Sequence, residues 1–265
     1  MLSLQLPLAS LLVGMLVGLT GVGGAALMTP LLILVFGIPG SVAIGSDVMS
    51  ATLMKVVGGA KHWQQGTVDL EVVKWLTLGS VPGSFMGITL LSVARQNGVQ
   101  NLDSFLIHLI GYVLLVLSSV FLGKLVLSRL KIKLDAFDPP KFDLNTNRGR
   151  ILTMLVGAVL GAVVGLTSVG SGSLFAIALI TFFSLDPYKL IGTDIVQAAI
   201  LLIFTALGHW SLGTVDWSLV LPIWLGTVPG VLIGARLCKM FPRTALQATL
   251  YSILIVVGWQ LIHKV

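Results

Sequence analysis

Two glycine-rich stretches interrupt apolar segments at corresponding places in the chain. They read GLTGVGG at residues 18–24 and GLTSVGSGS at residues 165–173. Glycines let a chain curl so that several N–H groups point one way, and a following helix adds the positive end of its dipole. This pattern predicts an anion-binding site with added hydroxyl donors. The candidate substrate-binding residues are Thr20, Gly21, Gly23, Gly24, Thr167, Ser168, Gly170, Ser171, Gly172 and Ser173.

Small residues in such stretches also have a purely structural explanation, since they let helices pack closely in lipid. The recurrence at matching positions favours a site instead. Unwound backbone at membrane depth must line protein or a water-filled cavity, and paired interruptions in two halves mark the binding sites of transporters.

Two acidic residues, Asp47 and Asp194, occupy equivalent positions within apolar segments. Carboxyl groups inside a membrane are costly and usually functional, for instance as proton carriers. A competing interpretation is that each caps a helix N-terminus after Gly45 or Gly192. Proton coupling is therefore one of two open hypotheses. The candidate coupling or neighbouring residues are Ser46, Asp47, Ser50, Lys55, Thr193, Asp194 and Gln197.

Lys55 lies two helical turns after Asp47 and has no counterpart, because Leu202 takes the equivalent place. It would offer a positive charge to the substrate or to Asp47, or its side chain would extend to the membrane interface. Interfacial positions are also expected for His62 and His209, which precede tryptophans. Asp69 and Asp216 precede apolar runs and are expected to cap the next helices.

The composition excludes a soluble fold. Charged residues make up 10% of the chain and hydrophobic residues 56%, with a mean hydropathy of +1.02, whereas soluble domains carry about 25% charged residues. The net charge is +6. The basic residues lie in connections between spans, which indicates the cytoplasmic side of a membrane rather than nucleic-acid binding. Cys238 is the only cysteine, so no intrachain disulfide or thiolate metal cluster is expected, and no cofactor is predicted.

An internal repeat organises the chain. Residues 14–87 align with residues 161–234 at a constant offset of 147, and 28 of the 74 positions are identical. Repeated halves are the usual architecture of secondary transporters, with the substrate site between the halves near the bilayer midplane.

The apolar segments predict an all-α membrane protein with about eight to ten transmembrane or re-entrant helices in two inverted-topology repeats. Each unit has two short segments, which span or re-enter, followed by three longer ones, and this odd number inverts the second unit. The predicted units are residues 1–128 and 150–265, joined by a basic linker at 129–149. The linker is placed in the cytoplasm and both termini outside. The segments lie at about 4–20, 24–37, 41–60, 70–93, 104–127, 151–167, 172–184, 188–208, 217–238 and 244–263.

The chain resembles the TauE/SafE family over nearly its whole length. The resemblance rests on the paired glycine-rich breaks, on Gly-Ser-Asp at 45–47 and Gly-Thr-Asp at 192–194, and on Trp-x-x-Gly-Thr-Val-Asp at 63–69 and 210–216. It implies export of sulfite or an organosulfonate by alternating access across a bacterial inner membrane. Ser168 and Ser171 replace glycines of the first copy, so the two halves are expected to contribute unequally to the site.

Two other functions compete with export. An anion channel, or an importer of another small inorganic or sulfur anion, would use the same glycine-rich stretches. An intramembrane enzyme is disfavoured, because the chain has no His-Glu-x-x-His zinc motif and Val169 stands where a rhomboid-type Gly-x-Ser-Gly motif before Gly172 needs glycine. The expected partners are a small anion and the lipid bilayer, with no nucleic acid. The oligomeric state is left open.

Overall fold

The computed structural model describes residues 2–20, 23–97, 101–129, 140–237 and 243–263. Within these ranges the chain forms ten α-helices and no strand, which confirms the predicted all-α class. Each helix matches one of the ten apolar segments of the sequence. The helices are α1 (Leu2–Thr20), α2 (Ala25–Leu34), α3 (Gly40–Gln64), α4 (Leu70–Gln96), α5 (Leu102–Arg129), α6 (Asn147–Thr167), α7 (Ser173–Phe182), α8 (Pro187–Ser211), α9 (Trp217–Leu237) and α10 (Arg243–His263).

Seven of the helices in the described ranges are long and apolar enough to cross a membrane, namely α3, α4, α5, α6, α8, α9 and α10. The protein is therefore a multi-pass membrane protein. Helices α2 and α7 have 10 residues each, which is about 15 Å of helix. This length covers roughly half of a 30 Å hydrocarbon core, so neither helix can span it.

Each short helix turns back along the helix before it. Ser10 of α1 lies beside Met28 of α2, with 3.9 Å between Oγ and Sδ. A Cβ at Gly24, where α2 begins, would lie 3.7 Å from Val17 of α1. In the second half, the N–H of Phe142, just before α6, donates to the carbonyl of Phe182 at the end of α7. Each pair is therefore a hairpin rather than two full spans.

Helix packing is reciprocal between the two halves. Helix α1 lies along α9, and the equivalent helix α6 lies along α4. A Cβ at Gly14 would lie 2.5 Å from the carbonyl oxygen of Thr227, and a Cβ at Gly161 would overlap the carbonyl oxygen of Ser80. The two contacts are equivalent, because Gly161 corresponds to Gly14 and Ser80 corresponds to Thr227 in the repeat alignment. Glycine allows this backbone approach, which favours helix association in lipid.

The equivalent helices α3 and α8 cross each other in antiparallel directions. The hydroxyl of Thr52 donates to the carbonyl of Leu202 over 3.1 Å. Further along α3, Gly59 faces Val196, which precedes Leu202 on α8. The chain therefore runs forward along one helix while it runs backward along the other.

The equivalent helices α5 and α10 also pack against each other. They cross at Gly111 and Gly258, which differ by the repeat offset and face each other. A Cβ at Gly111 would lie 2.9 Å from the carbonyl oxygen of Gly258, and a Cβ at Gly258 would lie 3.0 Å from that of Gly111. Self-paired antiparallel helices place the axis that relates the halves across the helices, in the plane of the membrane.

The interpretation of Asp47 and Asp194 as helix caps is wrong. Helix α3 begins after Pro39 and α8 begins after Asp186, so both carboxylates lie about two turns inside their helices. The glycines that precede them have a different role. Gly45 lets α3 approach the turn at Thr214, and Gly192 lets α8 approach the turn at Thr67. A Cβ at Gly45 would lie 2.6 Å from the carbonyl oxygen of Thr214, and a Cβ at its equivalent, Gly192, would overlap that of Thr67.

Other predicted helix ends agree with the structure. Oδ1 of Asp69 accepts from the N–H of Val72, and Oδ1 of Asp216 accepts from the N–H of Ser218, which confirms both as caps. Helix α6 begins at Asn147, with a cap from Thr146, within the last residues of the predicted linker. Residues 130–139 of the predicted linker lie outside the described residues.

Candidate functional site

The two glycine-rich breaks meet inside the helical bundle. A Cβ at Gly172 would lie 3.8 Å from the Cα of Gly23, so the two backbone segments pass each other without intervening side chains. A cavity of about 290 Å³ borders this contact. Predicted site residues that line it are Thr20, Gly23, Lys55, Gly172, Ser173 and Asp194. The structure thus brings together residues of both breaks with a lysine and a carboxylate.

Lys55 and Asp194 form an ion pair at the wall of this cavity. Lys55 Nζ lies 3.7 Å from Asp194 Oδ2, with side-chain exposures of 21% and 12%. The other carboxylate oxygen, Oδ1, is buried and has no hydrogen-bond partner. The expectation that Lys55 extends to the membrane interface is wrong. The antiparallel crossing of α3 and α8 brings Lys55 beside the second carboxylate rather than Asp47.

Helix α7 begins at the cavity. Its first residue, Ser173, and the preceding Gly172 both line the cavity. The first N–H groups of an α-helix have no acceptor within the helix, and the helix dipole makes this end positive. An anion in the cavity would therefore meet the ammonium group of Lys55 and the amino-terminal end of α7.

The second break holds an unusual backbone conformation. Ser168 has φ +63° and Gly170 has φ +103°, both in the region that favours glycine. The first break has Gly21 at the position equivalent to Ser168, but Gly21 lies outside the described residues. A serine in this conformation is uncommon, and its side chain has a specific contact that the glycine cannot make.

That contact is with Asp47, which is buried away from the cavity. Its Oδ2 accepts from Ser168 Oγ over 2.9 Å and from Thr29 Oγ1 over 2.6 Å. Asp47 is 3% exposed. Two hydroxyl donors thus take the place that a cation takes beside Asp194.

The polar neighbours of the two carboxylates tie helices together. Ser46 Oγ accepts from the N–H of Asp216 over 3.0 Å, and Thr193 Oγ1 accepts from the N–H of Asp69 over 2.9 Å. These contacts are equivalent by the repeat offset. Neither Ser46 nor Thr193 lines the cavity.

Other predicted site residues also lie away from the cavity. Thr167 Oγ1 donates to the carbonyl of Val163 over 2.7 Å. Gly24 precedes α2, and Ser171 is 4% exposed. Two further contacts stay within the helical bundle, from Ser50 Oγ to the carbonyl of Ser46 and from Gln197 Nε2 to Ser80 Oγ.

The prediction of an interfacial His209 is wrong. The side chain is fully buried, with Nε2 2.9 Å from the carbonyl oxygen of Gly165 and Nδ1 3.0 Å from Thr214 Oγ1. The ring therefore ties the end of α8 to the last turn of α6, at the first residue of the second break. Its equivalent His62 is partly exposed and precedes Trp63, which is 57% exposed.

Seven of the cavity-lining residues were not among the predicted site residues, and three of these lie on α5 and α10. Phe121 of α5 and Tyr251 of α10 stack with ring centroids 4.9 Å apart, and Gln247 lies one turn before Tyr251. These helices lie beyond the aligned part of the repeat, and their lining residues carry no motif. Among the described residues, no group of three or more His, Cys, Asp or Glu is placed to hold a metal ion.

The cavity lies on one side of the α3–α8 crossing only. Its wall includes the first turns of α8, at Leu190, Ile191 and Ile195, and Ile191 is 49% exposed. The equivalent residues of α3 are fully buried. They are Ala43, Ile44 and Val48. The open side is that of the linker, because Lys141 Nζ contacts the carbonyls at the end of α7, shortly before α8 begins.

Known proteins match the chain over almost its full length. Residues 6–261 match a family model described as sulfite exporter TauE/SafE. "Probable membrane transporter protein YjnA" of Bacillus subtilis strain 168 is 41% identical over 98% of this chain and 100% of its own length. "Probable membrane transporter protein YdhB" of the same strain is 25% identical over 92% of this chain and 94% of its own. No solved structure matches the chain significantly.

Proposed function

The chain belongs to the sulfite exporter TauE/SafE family and is a membrane transporter rather than an enzyme, and from this premise we propose that it exports a small sulfur-containing anion. The proposed substrate is sulfite or an organosulfonate, moved by alternating access across a bacterial inner membrane. The observation that supports this best is the cavity at the meeting of the two breaks, with Lys55 in its wall.

The cavity has the size and the donors that a small oxyanion needs. Its volume of about 290 Å³ corresponds to roughly ten water molecules. Lys55 supplies a compact positive charge with three N–H donors. Ser173 and the amino-terminal end of α7 supply further donors. Sulfite and short sulfonates expose three oxygens on one sulfur atom, which matches donors that converge from two sides.

The two-sided asymmetry supports alternating access. One face of the α3–α8 crossing has the cavity, while the equivalent face is filled by buried side chains and by Asp47 with its two hydroxyl donors. Exchange of the two conformations between the halves would close the first face and open the second. We assign residues 1–128 and 150–265 to the two inverted repeats and place the 129–149 linker in the cytoplasm. The cavity then faces the cytoplasm, where an exporter loads its substrate.

A channel or an importer remains the alternative that experiment must separate. A channel needs a continuous path with weak sites, whereas the packed side chains around Asp47 obstruct the second face. Flux in proteoliposomes that saturates and shows counterflow supports a transporter. Flux that rises linearly with concentration supports a channel. The substrate panel is sulfite, sulfate, thiosulfate, taurine and longer sulfonates, added to the face that carries the linker.

The Gly172→Val variant tests the position of the site. A Cβ at Gly172 would lie 3.2 Å from Lys55 Nζ and 3.9 Å from Asp194 Oδ2, so the larger valine fills the space between donor and substrate. We expect flux to fall by more than roughly tenfold, since a 1.4 kcal/mol loss suffices for that factor.

The matched control is Gly123→Val. A Cβ at Gly123 meets no atom within 4 Å among the described residues, so added bulk there points into open space. We expect this variant to transport like the wild type. Equal flux in both variants, with equal amounts of inserted protein, would show that the breaks serve packing and not binding.

A further inference from the structure

The two equivalent carboxylates differ in how their charge is compensated. Asp47 has two hydroxyl donors, Thr29 and Ser168. Asp194 has neither, and its charged partner among the described residues is the ammonium group of Lys55 at 3.7 Å. This distance is beyond the 2.7–2.9 Å of a charge-assisted hydrogen bond. The residues at the equivalent positions are Gly21 for Ser168, Ala176 for Thr29 and Leu202 for Lys55.

Asp194 also has one oxygen with no partner. Oδ1 is buried and accepts no hydrogen bond from the described residues, and the residue as a whole is 9% exposed. Buried carboxylate oxygens normally have a donor, so an orphaned one needs an explanation. The carboxyl group lines the cavity. A proton, a water molecule or a ligand that enters the cavity can therefore reach this carboxyl group.

An anion on Lys55 would sit beside this carboxylate. Lys55 is the only Lys or Arg among the described residues that line the cavity, so substrate and carboxylate must share one positive charge. Without an anion, the described lining residues carry no net charge, because one ammonium and one carboxylate face each other. An added anion makes the cavity negative. Like charges in a site of low dielectric repel strongly, and protonation of the carboxylate removes the repulsion.

We propose that Asp194 takes up one proton when an anion binds Lys55 and releases it when the anion leaves, so that anion and proton move together. This inference rests on the proposed function of the cavity. The proton comes from water on the open side and forms an O–H bond on the carboxyl group. No bond of the substrate breaks. The loaded cavity is neutral only for an anion of charge −1, so it selects sulfonates or hydrogen sulfite over dianions.

Among the residues that the structure describes, few other titratable groups lie near Asp194. Tyr251 of α10 lines the same cavity. Asp69 of α4 lies beside Thr193, but its carboxylate accepts from the N–H of Val72. The cavity-lining residues of α1, α5 and α7 do not titrate. They are Thr20, Phe121, Ser173 and Ala176. Asp194 is therefore the acceptor through which a proton would be linked to the anion.

The test is calorimetric titration of the purified full-length protein with methanesulfonate in two buffers of different ionisation enthalpy. Proton uptake appears as a heat that differs between the buffers. We expect about one proton to be taken up per bound anion. The affinity for the anion should then fall by up to tenfold for each unit by which the pH rises, while Asp194 of the free protein is ionised. Asp194→Asn should bind the anion without proton uptake and without this pH dependence. Asp47→Asn, the matched control, should keep both.

The possible outcomes separate this inference from the proposed function. Binding without proton uptake in the wild type, or uptake that persists in Asp194→Asn, would overturn the inference and leave the site intact. Wild-type protein that binds neither methanesulfonate nor any other tested anion would overturn both. Sulfate gives a second readout that needs no variant. We expect it to bind at least tenfold more weakly than methanesulfonate, and equal affinity would contradict the selection by charge.

Discussion

Removing the charge of Lys55 while keeping its length gives the most direct test of the site. In the Lys55→Met variant an unbranched apolar side chain replaces the ammonium that lies 3.7 Å from Asp194. At an effective dielectric constant of 20, two unit charges about 4 Å apart interact by about 4 kcal/mol. That energy corresponds to roughly a thousandfold in affinity. Part of it is offset because Asp194 already neutralises the lysine, so we expect anion affinity to fall by at least roughly a hundredfold.

The assay is binding of sulfite and methanesulfonate to purified protein, followed by flux in proteoliposomes. The control is Lys61→Met, which removes an equal charge from the same helix at an exposed position. Lys55→Arg keeps the charge and should retain more affinity than Lys55→Met, although its planar group fits the cavity less well. Wild-type affinity in Lys55→Met, with Lys61→Met unchanged, would refute a role of Lys55 in anion binding.

Two further predictions concern the fold and its orientation. Gly79→Ala places a methyl group on the carbonyl of Met154 in the α4–α6 contact, so it should lower the unfolding temperature in detergent, as overpacking typically costs ~1–3 kcal/mol, whereas Gly123→Ala should not; equal unfolding temperatures would contradict this packing. A cysteine reporter at Pro140 in a Cys238-free variant should react only from the cytoplasmic face, and labelling of intact cells by an impermeant reagent would reverse the topology.

Much of the fold could be predicted because the repeat doubled the information. Ten apolar segments match ten helices, and the odd number per unit indicated inversion before any packing was known. Whether the short segments span or re-enter was left open, since α2 and α7 are as apolar as full spans and differ from them in length. The sequence also did not show which helices pack against each other. Glycines mark close contacts, but their spacing does not say whether the partner is α9 or a neighbour in the same half.

The site was predicted in part. The breaks and the carboxylates were found because they recur, and the structure places Thr20, Gly23, Gly172 and Ser173 around one cavity. The partner of Lys55 was not found, because 139 residues separate it from Asp194 and only the antiparallel crossing brings them together. One signal was available. Three differences between the repeats, at the positions of Ser168, Thr29 and Lys55, all surround the two carboxylates.

The glycine contacts between α1 and α9, and between α4 and α6, determine which parts of the molecule can move as one piece. Backbones in direct contact cannot slide without losing their fit, so motion of α1 must carry α9 with it. Each pair takes one helix from either repeat. The mechanical units therefore do not coincide with the units of sequence. A cut in the linker of the folded protein would therefore leave the α1–α9 and α4–α6 pairs in contact. Two separately synthesised halves would have to associate before either pair could form.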